Sequence, residues 1–290
     1  MHLLLDPLQF AFMQNALLGT VTIGILCAVI GSFVVLLRLA FIGEGLAHGS
    51  LAGLAIGYLM QWDLYLTANF YTIGLALLIG LVHEKAKVTL DTAIGILFSA
   101  SMALGIALIS SMKFYTTDLT GYLFGSVLAI TPFDLKIIIG AALLILLIIM
   151  LFYKEFVFYA FDPEMAEVAG LPRTRLHYAM LIMTAVTVVI ASQTVGIILV
   201  TALLIIPAAS AQQWTRSLKR LLLLAILFGL TSAVIGLYIS YYFNVASGAS
   251  IALTAALFFL ISFLLSPQRQ SLRRSFGLKE NKKTLTGAKS

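Results

Sequence analysis

Charge is scarce in this 290-residue chain: Asp, Glu, Lys and Arg make up 10% of it, against about 25% in an ordinary soluble domain. The hydrophobic set fills 61%, and the mean hydropathy is +1.06. Together these exclude a separate soluble catalytic domain. Cysteine is nearly absent, and Cys27 stands alone in an apolar run, which excludes a disulfide framework and a cysteine zinc site and leaves packing as its role. The terminal "GAKS" lacks the adjacent Gly-Lys and upstream glycine spacing of a phosphate loop, so the chain carries no ATP site of that kind. No HExxH occurs; "LVHEKAK" around His83 is HExxK and reads as a solvated loop. "MHLLLDPLQFAF" has neither a basic n-region nor an A-x-A-type site, so the first apolar segment is expected to insert and stay.

What is abundant is long apolar sequence. A helix needs about 20 apolar residues to cross the hydrocarbon core. Stretches such as "IIIGAALLILLIIMLF", Ile137 to Phe152, are apolar all round rather than alternating, which excludes a membrane β-barrel. The fold class is an all-α polytopic membrane protein. Breaks at charge and turn clusters give nine candidate spans, at 12–37, 39–60, 64–82, 91–112, 133–153, 174–192, 194–213, 218–242 and 247–265. The count falls to eight if the tight pair Ser192 and Gln193 is not a turn. Residues Thr116 to Pro132, "TTDLTGYLFGSVLAITP", are too short and glycine-broken to cross, and read as a re-entrant or interfacial helix. His177, near the start of the sixth span, reads as an interfacial residue.

The net charge of +6 arises after Ser266, where seven Lys and Arg face one acid, Glu280. We read residues 1–266 as the membrane domain and 267–290 as a flexible basic tail beside anionic lipid, with no role in holding nucleic acid. An outside N-terminus puts Arg38, Lys85, Lys87, Lys154, Arg173, Arg175, Arg216, Lys219, Arg220 and the tail cations in the cytoplasm. Only Lys113 and Lys136 then remain outside, in keeping with the positive-inside rule.

The second span, "RLAFIGEGLAHGSLAGLAIGYLM", places Glu44 and His48 one helical turn apart on one face. Ionisable groups inside a membrane span are costly and mark function. Gly45, Gly49, Gly53 and Gly57 form a small-residue seam that admits a neighbouring helix. A carboxylate and an imidazole suit a divalent cation that takes oxygen and nitrogen ligands, but also a proton relay or a buried structural pair. Between the fifth and sixth spans, "YAFDPEMAEVAGLPRTR" spells a short helix from Pro163 to Ala169. Asp162 is its N-cap, Pro163 its first position, Gly170 its stop and Pro172 its block, with Glu164 and Glu167 on a mixed surface.

"IGEGLAHGSLAGLAIGYL", "DLTGYLFGSVLAIT", "FDPEMAEVAGLP" and "QTVGIILVTALLIIPAASAQ" follow in that order over nearly the whole chain. This arrangement resembles the permease subunits of the ABC transporters for zinc, manganese or iron. The resemblance implies a permease in a bacterial plasma membrane that imports a divalent metal and binds none permanently. It implies a separate cytoplasmic ATPase engaged by the 160–173 loop, an extracytoplasmic metal-binding protein, and a second permease copy or paralogue lining the path. The chain itself would not be an enzyme. The family's acidic-x-x-x-His motif falls on Glu44 and His48, with Glu where Asp is commoner. Asp118 matches its acidic residue in the re-entrant segment, and Gln193 with Gly196 matches its Q-x-x-G stretch. The competing function is a proton-coupled carrier using Glu44 and His48 as its relay.

Overall fold

The computed structural model describes residues 6–112, 125 and 127–266, and every regular element among them is helical. Eleven α-helices follow: α1 (Ala11–Leu36), α2 (Ile42–Met60), α3 (Leu64–Ala86), α4 (Leu90–Ser110), α5 (Pro132–Leu151), α6 (Tyr153–Phe161), α7 (Pro163–Val168), α8 (Arg173–Val195), α9 (Ile197–Gln212), α10 (Leu218–Phe243) and α11 (Ser247–Leu265). The long ones coincide with the nine apolar segments of the sequence to within a few residues. Their ends are set by local chemistry. Asp63 and Thr89 accept hydrogen bonds from Leu66 N and Thr92 N at the starts of α3 and α4, and Thr131 with Asp134 closes a capping box ahead of α5. Gln61, Lys87 and Asn244 turn into the left-handed region to end α2, α3 and α10.

Seven of the helices are long and apolar enough to cross a membrane. The two long helices outside that set are α2, diluted by Glu44, His48 and glycines, and α9, whose 16 residues rise about 24 Å against a hydrocarbon core of about 30 Å. Both pack among other helices. Leu203, Leu204, Pro207 and Ala208 of α9 are buried, and α1, α10 and α11 surround it. A helix sheathed by protein has less need of the length and hydropathy that lipid demands.

The break between α8 and α9 falls at Gly196, not at Ser192 and Gln193, which lie in the last turn of α8. The reason is backbone conformation: φ is 90° there, a value open to glycine. The chain reverses at this point. Gly125 packs on the Val195–Gly196 backbone at one end of the bundle, where Val127 N also donates to Ser247 Oγ. At the other end Trp214 Nε1 donates to Ser262 Oγ, and Ser266 Oγ to the Gln213 carbonyl at 2.9 Å. Thus α9 runs parallel to α11 and antiparallel to α8. Of the segment expected to re-enter, the described part is Gly125 and residues 127–132, which hold a 3-10 turn, Val127–Ala129, and the first residue of α5; residues 113–124 and 126 and the 267–290 tail lie outside the described residues.

Close helix approach depends on small residues. A methyl group on Gly45 would press on Ile94 of α4, on Gly49 it would overlap Leu75 of α3, and on Gly53 it would meet Tyr71 and Ala68 of α3. Gly57 faces Thr67. Ser101 Oγ reinforces this joint by donating to the Gly49 carbonyl at 2.9 Å while also bonded to the Tyr71 hydroxyl. In the centre, Gly31 of α1 lies so near the Leu204 carbonyl of α9 that any β-carbon would overlap it. We expect Gly31→Ala to abolish the monodisperse, folded protein in detergent. Gly74→Ala and Gly140→Ala, where an added methyl meets nothing within 4 Å, should preserve it and stabilise it by about 0.5–1 kcal/mol each. Thermal unfolding followed by size-exclusion chromatography checks both.

Candidate functional site

The helix carrying the ionisable pair begins later than its hydropathy indicates. Arg38, at φ 59°, ends the α1 segment, and α2 starts at Ile42, so Glu44 lies in its first turn and His48 one turn beyond. The α1–α2 connection is nevertheless drawn into the bundle. Gly43 packs against the Leu204 side chain in mid-α9, and eight residues at 1.5 Å each separate Leu204 from Gln212, about 12 Å. Glu44 therefore sits at depth although it belongs to a helix start.

The glycine seam points into α3 and α4, which turns the adjacent face of α2 away from the core of its own subunit. Glu44 is exposed on that face; His48, Leu51 and Tyr58 are half-buried along it. Phe98 of α4 stands edge-on to the His48 ring with centroids 6.0 Å apart, limiting where the imidazole can swing. Neither Glu44 nor His48 forms an ion pair or hydrogen bond with another described residue. One carboxylate and one imidazole are thus uncommitted, a helical turn apart, on a surface flanked by apolar helix. Among the described residues no three His, Cys, Asp or Glu side chains converge to enclose an ion, so one subunit offers at most this pair.

Gln193 forms no hydrogen bond with this pair among the described residues. Gln193 is half-buried in the last turn of α8, its Nε2 buried without a partner among the described residues. Helix α8 starts beside the end of α3, where Tyr178 donates to Glu84, and Gln193 lies 20 residues, about 30 Å, along α8 from Arg173. Asp118 lies outside the described residues.

At the end of the bundle that holds Arg173, α7 forms a separate exposed element. Asp162 Oδ1 accepts from Glu164 N and Met165 N, and Pro163 occupies the first position. At its C-terminus Leu171 N bonds the Ala166 carbonyl and Gly170 N the Glu167 carbonyl, with Gly170 at φ 82°; this is the paired closure of a Schellman motif. Ala166 is buried, while Met165 and Val168 are 53% and 80% exposed beside the carboxylates of Glu164 and Glu167. Glu167 pairs with Arg173 at 3.2 Å across the turn into α8.

Sequence reasoning missed a cluster beside α7. His83 is not in a loop but in the last turn of α3, and His177 is buried rather than interfacial, its Nδ1 bonded to the Tyr159 hydroxyl at 2.8 Å. Burial pushes the Tyr159 hydroxyl up to about 12, with Arg173 opposing and Glu84 adding, so it stays protonated. The available signal was that both histidines lie within four residues of Lys85 or Arg173, which places them at the same end of the bundle.

Comparison with known proteins fits this architecture. The family model described as "ABC 3 transport family" matches residues 9–266. The chain is 46% identical over 262 residues to the manganese transport system membrane protein MntC of Listeria monocytogenes, covering 90% of this chain and 93% of that one. It is 39% identical to a probable iron transport system membrane protein of Haemophilus influenzae, covering 92% and 98%. Among solved structures, PsaBC from Streptococcus pneumoniae in complex with Fab superposes with a TM-score of 0.83 at 39% identity, over 94% of this chain and 98% of that one. With its helices, its α2 pair and its capped α7 accounted for, the chain belongs to the ABC 3 transport family.

Proposed function

We propose that the chain is the membrane permease of an ATP-driven importer for a divalent transition metal, with manganese the foremost cargo, and that Glu44 and His48 grip the ion transiently. The observation that carries this reading is the uncommitted pair at the inset start of α2. Left facing lipid, an unpaired carboxylate would cost several kcal/mol, about 2.5–3.5 on insertion scales. Water and a second permease copy across the α2 face remove that cost and place two such pairs along one path. An ion held by few protein groups can leave as readily as it arrives.

Manganese is favoured because oxygen and nitrogen donors accept it, and because the relatives at 46% and 39% identity from Listeria and Streptococcus gordonii are named for its transport. Iron is the next candidate, from the Haemophilus relative; zinc shares the same ligand chemistry. The nine long helices would each cross a bacterial plasma membrane, with the N-terminus outside, the C-terminus in the cytoplasm and Asp118 near the outer mouth. A binding protein would deliver the ion there. On the inner side, a separate ATPase would dock on α7 through Met165, Val168, Glu164 and Glu167, and its closure would tilt α8.

Glu44→Gln and His48→Ala should each reduce uptake of radioactive manganese to background in cells while membrane insertion stays normal; wild-type uptake by either variant removes the site assignment. An uncoupler should leave uptake intact while ATP persists, whereas a proton-coupled carrier would stop. Reconstituted permease and ATPase, offered Mn²⁺ against Fe²⁺ and Zn²⁺, should take manganese first. Reversing charge with Glu164→Lys and Glu167→Lys should lower ATPase co-purification several-fold, and unchanged recovery would exclude α7 as the dock.

A further inference from the structure

A cavity of about 600 Å³ opens between the end of α3, the α1–α2 connection, α6, α7 and the start of α8; His83, Tyr159, Glu167, Arg173 and His177 are among its lining residues. The two imidazole rings have centroids 6.1 Å apart, tilted by 46°. Two imidazoles bound to one ion, each with a metal–nitrogen bond of about 2.1 Å, have centroids roughly 5–6 Å apart. The rings are thus near the separation at which one cation joins them.

Their hydrogen bonds favour that use. His83 Nδ1 lies 2.7 Å from the Val88 carbonyl, which can only accept, so Nδ1 carries the proton and Nε2 of the neutral ring carries the lone pair. His177 Nδ1 meets the Tyr159 hydroxyl, which can accept from it and leave Nε2 as a lone pair. His177 is 7% exposed, and its Nε2 is buried with no partner among the described residues. Metal-binding histidines are held in this way, one ring nitrogen fixed by an oxygen and the other free for the ion. A buried imidazole nitrogen left unpaired otherwise has a cost.

We infer that His83 and His177 form a second divalent-cation site, distinct from Glu44 and His48, which takes a borderline transition ion such as Zn²⁺ or Co²⁺ through two imidazole nitrogens. Water completes the coordination, since no third His, Cys, Asp or Glu joins the pair among the described residues. An ion here ties α3 to α8 directly behind α7, and so restrains the element proposed to receive the ATPase. The binding site itself does not depend on the transport reading; only this restraint does.

The test is Co²⁺ titration of the full-length chain in detergent, followed by visible absorption. In the His48→Ala background one Co²⁺ should still bind per chain, with the bands of a nitrogen-ligated site. His83→Gln and His177→Gln should each weaken that binding at least tenfold. Should His177→Gln fail to fold, His83→Cys supplies an independent readout: a thiolate-to-Co²⁺ charge-transfer band appears in the near ultraviolet, which the buried Cys27 does not provide. Undiminished binding in folded His83→Gln, no charge-transfer band in folded His83→Cys, or no Co²⁺ bound in the His48→Ala background overturns the site. Loss of Mn²⁺ uptake in Glu44→Gln has no bearing on these outcomes, so the two sites fail or stand separately.

Discussion

The nearness of α2 to α3 and α4 governs what the rest of the molecule can do. Without side chains at Gly45, Gly49 and Gly53, the backbone of α2 lies against Ile94, Leu75 and Tyr71, and Ser101 bonds the Gly49 carbonyl across the joint. That contact fixes the rotation of α2 about its own axis. Glu44 and His48 lie about a quarter-turn from the seam, so packing the seam against α3 and α4 also sets the direction of this adjacent face. In water four glycines would weaken a helix by about 1 kcal/mol each; here dense packing on both flanks offsets that loss and aims two polar groups with little freedom to turn.

Much of the architecture was legible because lipid imposes a strong pattern. Nine apolar runs became nine long helices among the described residues, and the cap at Asp162 is written in residue type. The failures are equally physical. A boundary at Ser192 and Gln193 follows from polarity, but the chain turns where φ can be positive, at Gly196. Hydropathy begins α2 at Leu39, yet the chain needs Arg38 in a left-handed turn and begins the helix at Ile42.

The candidate site divides in the same way. Helical spacing alone puts Glu44 and His48 on one face, and the structure adds which way that face looks, which depends on packing with α3 and α4 far along the chain. The His83 and His177 pairing had no local signature: 94 residues separate the two, and the antiparallel register of α3 with α8, marked by Gly80 against Tyr178 and Leu181, brings them together. His83 looked like loop because charged neighbours surround it, but α3 continues to Ala86.

The link between α8 and α9 is a single residue, and that between α7 and α8 only Ala169 to Pro172. Helix α8 therefore behaves as a stiff rod of 23 residues, about 35 Å long, tethered tightly at both ends. A slack tether would absorb a displacement; links this short leave little slack to take one up. Leverage applied at one surface would reappear at the opposite surface as a shift of Gly196 and of the Gly125 segment resting on it, giving the fold a pushrod between its two faces.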